Sequence, residues 1–153
     1  MATLLAHIRV RPGAEKRFEQ IARELHDATH ACEPDVRRYE YWRGAEPGTY
    51  YALESFGDFA GFLAHEASPH HLGALPALRE VLQDVRLEWV DPVVGASPLT
   101  PTDLSPPSDP TDLQEAYSER HGAKVQDWWL PLRTAAAADG GQAGSPRREQ
   151  GRG

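Results

Sequence analysis

The chain has a single cysteine, Cys32, among its 153 residues. One thiol excludes an intramolecular disulfide and fits a reducing compartment. At the end of an amphipathic stretch, Cys32 reads as a small packed residue and not as a nucleophile. Long apolar runs are missing too: no stretch approaches the ~18 uncharged residues of a membrane span, and the N-terminus lacks the charged and apolar regions of a secretory signal. The expected location is the cytoplasm, with no membrane partner. Basic charge is scarce. Of the formal net charge of −7, −5 falls up to Gly95 and −2 beyond it, so neither part offers a cationic footprint to nucleic acid.

What is present is unevenly spread. Up to Gly95 the apolar residues recur with clear periods, whereas residues 96–153 are rich in Pro, Gly, Ser, Thr and Ala. Residues 1–95 are therefore expected to be the folded unit and 96–153 a C-terminal extension.

Leu4, Ala6, Ile8 and Val10 alternate with Thr3, Leu5, His7 and Arg9, the period of a strand with one apolar face. After Arg11-Pro12-Gly13, residues Phe18, Ile21, Ala22, Leu25 and Ala28 trace the buried stripe of a helix over 14–31. Glu33-Pro34-Asp35 ends it. Val36–Arg43 and Thr49–Phe56 then form a hairpin across the turn at 44–48. A helix starts near Asp58, a good N-cap, and Pro69 should interrupt or restart it. Its stripe continues through Leu72, Leu75, Leu78, Val81 and Leu82 to Asp84. Val85, Leu87 and Trp89 make a last strand.

The order is βαββαβ, which predicts an α+β ferredoxin-like fold with an antiparallel sheet and both helices on one face. About 95 residues cannot also cover the other face, so a second copy is the expected lid and the protein an expected homodimer.

The stretch Thr49–Leu82 carries the chemistry. A strand containing Glu54 feeds a helical run that holds His65, Ser68, Pro69, His70 and His71. Imidazole is the side chain that most readily exchanges protons near neutral pH, so His65 and His70 are candidate bases. Five residues apart, they would point about 140° apart on an unbroken helix, and Pro69 makes that angle open. Each also has a plainer reading as an anchor that ties a turn to the sheet. His71 reads as an exposed neighbour. Glu54 reads as an orienting carboxylate or as half of an ion pair across a dimer. Aromatic residues are abundant between Tyr39 and Trp89, more than a small core requires. No His pair at i, i+4 with a nearby acid, and no Cys cluster, suggests a metal site.

Three segments together, His7-Ile8-Arg9-Val10-Arg11-Pro12-Gly13, the return strand with Glu54, and His65-Glu66-Ala67-Ser68-Pro69-His70, resemble the antibiotic biosynthesis monooxygenase family, including its quinol-monooxygenase-like members. The resemblance covers residues 3–93. It implies a dimeric α+β barrel with a pocket in each subunit between sheet and helices. It also implies insertion of oxygen into electron-rich aromatic molecules without flavin or metal, dioxygen being the co-substrate. Under it, His65, His70 and Glu54 are the expected catalytic residues, and Tyr39, Tyr51, Phe56, Phe62, Leu72 and Trp89 the expected walls for the substrate. Haem-degrading relatives ligate iron with a histidine where Leu75 stands here, so haem is not expected. Phe56 stands where many relatives have tryptophan. An isomerase or cyclase using the same pocket, or a non-catalytic binding protein, are the alternatives.

In the extension, the prolines of 97–110 predict an extended linker. Asp112 followed by Glu115 reads as a capping box that starts a short helix. Trp128 and Trp129 are costly to leave in water, so 111–133 is expected to dock on the barrel, and 134–153 to be disordered.

Overall fold

A computed structural model describes residues 1–95, 99–100, 102–103 and 105–121. Its elements are β1 (Ala2–Val10), α1 (Glu15–Cys32), β2 (Val36–Arg43), β3 (Thr49–Phe56), α2 (Phe59–Glu66), α3 (Pro69–Val81), β4 (Leu82–Trp89) and α4 (Asp112–Arg120). The four strands form one antiparallel sheet in the order β2-β3-β1-β4. This is the α+β ferredoxin-like arrangement, with the first strand at the centre of the sheet.

Register decides which side chains share a face, because residues directly opposed across a ladder point the same way. Tyr39 pairs with Glu54, Glu54 with Leu4, and Leu4 with Trp89, so one row crosses the whole sheet on the side that the helices cover. His7 pairs with both Tyr51 and Arg86 in a row on the other side. The alternation in β1 holds from Leu4 onward: Leu4, Ala6, Ile8 and Val10 are buried, while Leu5 and His7 are half-buried and Arg9 is exposed; Thr3, read with the second set, is buried as well, its hydroxyl 2.8 Å from that of Ser55. Helix α1 brings Phe18, Ile21, Ala22 and Leu25 onto this core.

The interruption expected at Pro69 is a complete break. Asp58 caps α2 by accepting from Gly61 N at 2.8 Å. Ser68 caps α3 by accepting from His71 N at 3.2 Å, with Pro69 in the first turn, where its missing N–H costs nothing. Two boundaries differ from expectation. Helix α3 stops at Val81 and β4 starts at Leu82, three residues before Val85. No turn residue separates them, because Arg11 N donates to Val81 O at 2.8 Å and Leu82 already pairs with Val10. In α4 the capping box is Thr111 with Gln114 and not Asp112 with Glu115, since the Thr111 hydroxyl accepts from Gln114 N.

The start of the extension is attached to the sheet. Thr102 is fully buried, accepts from Thr3 N at 3.1 Å and donates to Val90 O at 2.8 Å. Further on, α4 packs on α2 and buries Tyr117 in the same core as Phe59, Phe62 and Leu63. Burying such a ring is worth about 1.5–3 kcal/mol, enough to hold one short helix. The docking expected of Trp128 and Trp129, and the disorder expected of 134–153, lie outside the described residues.

Candidate functional site

His65 sits on α2 and is only 1 % exposed. Its ring lies between Tyr39 from β2, centroids 4.9 Å apart, and Phe56 from β3, at 5.2 Å. Its Nδ1 meets both carboxylate oxygens of Glu33, at 2.9 and 3.1 Å. An ionised carboxylate only accepts, so Nδ1 carries a proton, and in the neutral ring Nε2 keeps its lone pair. Among the described residues, Nε2 makes no hydrogen bond. A base nitrogen is therefore left unused beside an aromatic wall.

His70 reaches the same carboxylate. Its Nε2 stands 2.6 Å from Glu33 Oε1 and 3.1 Å from the Ser68 hydroxyl, with the Thr29 hydroxyl at 3.4 Å. The Ala67-Ser68 break makes this possible: α3 starts in a new direction, and two histidines that one helix would splay converge on one oxygen. Burial opposes ionisation of Glu33, but hydrogen bonds and charge from His65 and His70 hold its carboxyl below the usual range. Burial also disfavours a charged His65. The Glu33 hydrogen bond and the nearby Glu54, Glu33 and Glu66 carboxylates outweigh that and raise its pKa.

A second cluster adjoins the first. His71 is not the exposed neighbour its position implied. The new start at Pro69 turns it inward, where its ring lies 4.8 Å from that of His65. Its Nδ1–H donates to Glu66 O at 3.1 Å, and its Nε2 faces Glu66 Oε1 at 3.7 Å. The other oxygen of Glu66 accepts from His121 Nε2 at 3.1 Å. Burial is the main cause that lowers the pKa of His71, against the pull of Glu66.

Glu54 lies in the sheet row beneath His65. Burial pushes its pKa up to about 7, with Glu66 and Glu33 adding to the shift and His65 opposing it. Its carboxyl makes no hydrogen bond among the described residues. Nearby, the hydroxyls of Tyr39 and Tyr41 are 3.0 Å apart, and burial raises both pKa values, so both stay protonated.

The structure thus gathers His65, His70, Glu54, Tyr39, Phe56, Phe62 and Trp89 on the helix side. Phe62 stands edge-on to Trp89 at 5.0 Å and Leu72 packs on the same core. Tyr51 is elsewhere: it contacts His7 on the opposite face of the sheet, so it cannot wall the same pocket. Glu33, Tyr41, Glu66, His71 and His121 were not among the expected site residues. Two grooves flank the cluster. One of about 590 Å³ is lined by Glu33, Ser68 and His70, with Cys32 at its edge. Another of about 410 Å³, between α1 and β2, reaches Tyr41.

Two donor sets are close enough to share a cation: Glu33, His65 and His70, and His65, Glu66 and His71, the atoms of each lying within 4.8 Å of one another. In the first set the donors already stand at hydrogen-bonding separation around one carboxylate, which protons alone complete.

A family model, antibiotic biosynthesis monooxygenase, matches residues 1–77, half of the chain. The chain belongs to the antibiotic biosynthesis monooxygenase family. Its fold is shared with solved structures at low sequence identity. A Pseudomonas aeruginosa protein, PA3566, is 24 % identical with a TM-score of 0.55, the match covering 60 % of this chain and 93 % of that one. A Caulobacter crescentus protein named provisionally as an antibiotic biosynthesis monooxygenase is 23 % identical with a TM-score of 0.58, covering 60 % and 89 %. A Nitrosomonas europaea protein named in the same provisional way is 16 % identical with a TM-score of 0.57, covering 61 % and 99 %. Among curated proteins none matches significantly. Nearly all of each solved relative is thus matched by about three fifths of this family member, roughly the share that β1 to β4 occupy.

Proposed function

We propose that the protein is a cofactor-independent monooxygenase that oxidises an electron-rich aromatic substrate, an anthrone, quinol or polycyclic phenol. The observation that carries this reading is His65: a buried imidazole with Nδ1–H fixed on Glu33 and Nε2 without a partner among the described residues, set against the Tyr39 and Phe56 rings. Family membership supports the oxygenase class.

His65 Nε2 takes a proton from the substrate, and Glu33 stabilises the imidazolium that forms. The carbanion or phenolate left behind gives electrons to dioxygen without flavin or metal. For an anthrone, carbon–oxygen bond formation and protonation yield a hydroperoxide, and loss of water leaves the quinone. One oxygen atom of O₂ stays on carbon and the other departs as water. Glu54, with its pKa near neutrality, and the Tyr39–Tyr41 hydroxyl pair supply hydrogen bonds to the substrate oxygen as negative charge grows there. Phe56, Phe62, Leu72 and Trp89 form the apolar wall.

In the same reading the protein works in the cytoplasm as a homodimer. The second copy covers the open sheet face, where Leu5 and Leu53 pair at the centre and Trp42 is 59 % exposed. Sedimentation of the wild type against Leu53→Arg reads this directly, and a monomeric wild type would remove the dimer.

Oxygen uptake by metal-stripped protein with a panel of anthrones and quinols tests the activity, with His65→Ala and His70→Ala as controls. Uptake above the spontaneous background, lost in His65→Ala, is the expected result. No uptake on any substrate moves the assignment to a proton-transferring isomerase or a binding protein.

A further inference from the structure

The three solved relatives named above are matched almost completely by about three fifths of this chain, yet the described part of the extension goes on to place one more ionisable side chain in the interior. Helix α4 is anchored by Tyr117, 7 % exposed in the core, and its C-cap residue is His121. The His121 ring stacks on Tyr117 at 5.8 Å and stands edge-on to Phe62 at 5.5 Å. Its backbone carbonyl accepts from Trp89 Nε1 at 3.5 Å. These contacts fix the direction of the imidazole, and its Nε2–H points at Glu66 Oε2.

Glu66 could otherwise satisfy His71 with either oxygen. With Oε2 occupied, only Oε1 faces His71 Nε2, at 3.7 Å, longer than a hydrogen bond. The Nδ1–H of His71 is already committed to the Glu66 carbonyl. Held through Nδ1–H alone, His71 keeps its place against the His65 ring. The groups that face this cluster are Glu33 after α1, Glu54 on β3, His65 and Glu66 on α2, His70 and His71 on α3, and His121 at the end of α4.

We infer that His121 is a positioning residue for His65: the extension delivers it to one oxygen of Glu66, which leaves only the other oxygen facing His71, the ring packed against His65. The inference rests on the reading of His65 as the base, but its test needs no substrate.

The full chain, labelled at its histidines, is titrated by NMR as wild type, His121→Leu and His121→Gln, with each ring assigned by single substitution. His121→Leu keeps an apolar side chain against Phe62 but cannot donate, so Glu66 turns fully to His71. The His71 midpoint should then rise by about one pH unit, with a smaller change at His65. His121→Gln still donates an N–H to Glu66 and should titrate like the wild type. A shift in His121→Leu that His121→Gln abolishes bears the inference out. No shift in His121→Leu overturns it, and so does an equal shift in both variants, the result expected if α4 acts only as packing. Oxygen uptake can fail on every substrate without altering these titrations, so the two readings fail separately.

Discussion

Glu33 and Glu66 each stand between two histidines, but the two clusters are built differently. Glu33 ends α1 and collects His65 and His70 from the two helices that follow, beside a groove of about 590 Å³. Glu66 collects His71 from the adjacent helix and His121 from the extension, under the Phe62 and Trp89 rings. The first cluster needs only the family fold, and it sets the tautomer of His65. The second depends on α4 and reaches His65 through the His71 ring and the Glu66 charge. A carboxylate shared by two imidazoles can therefore define a base or merely support one, and what decides is which ring nitrogen it leaves unused.

The sharpest way to separate the clusters is to remove the base. His65→Ala should lower the rate of oxygen uptake by about 10²–10⁴-fold, the usual worth of a positioned base, whereas His71→Ala should cost far less. Equal losses would erase the distinction. Next in size is Glu33→Ala, which strands two imidazole N–H groups and should cost about 1–3 kcal/mol of stability, read from urea unfolding. Because the Glu33 carboxyl is held below its ordinary 4.5 in the folded protein, its contribution is complete above that pH. The gap between wild type and variant should therefore be full at neutral pH and shrink as pH falls below 4.5.

Glu54 has the opposite sign. Its folded pKa of about 7 lies above its ordinary 4.5, so ionising it above pH 7 weakens the fold. Glu54→Gln should be the more stable protein there, by about 1–2 kcal/mol after allowance for solvent at this half-buried group. That advantage should vanish as pH falls through 7 towards 4.5. A stability difference independent of pH would place Glu54 outside the electrostatic reach of both clusters. The smallest effect belongs to Tyr41→Phe, which removes one hydroxyl of the Tyr39–Tyr41 pair and should cost about 0.5–1.5 kcal/mol. Oxygen uptake in that variant shows whether the pair serves the substrate or only itself.

The sheet was readable because its signals are local. The alternation of β1 and the turn at 44–48 state their periods and breaks within a few residues, and β2 and β3 fall where the pattern put them. The α3–β4 boundary was not readable, since Val81 passes to Leu82 with no Gly, Asn or Asp to mark the change. His65 and His70 were visible as proton-exchanging residues near a strand carboxylate. Their shared partner was hidden, because Glu33 lies 32 residues before His65 and its own neighbourhood reads only as the end of a helix. His71 was misplaced because a helix restarted by Pro69 keeps no memory of the preceding phase. His121 lies in the segment expected to dock on the barrel, but that expectation rested on Trp128 and Trp129 and gave no sign that Tyr117 would carry His121 to Glu66.

The order of strands also sets how this chain comes into being. β1 precedes the other three strands in the chain and sits in the middle of the sheet, with β3 on one side and β4 on the other. Its second ladder joins Leu4 to Trp89 and Val10 to Leu82, so the central strand waits half-paired until the last strand has been synthesised. Closing such distant pairs costs chain entropy before it returns any contact energy, and topologies of this kind fold slowly. Thr102 then fastens the sheet at Thr3, a bond between residues 99 positions apart in the chain.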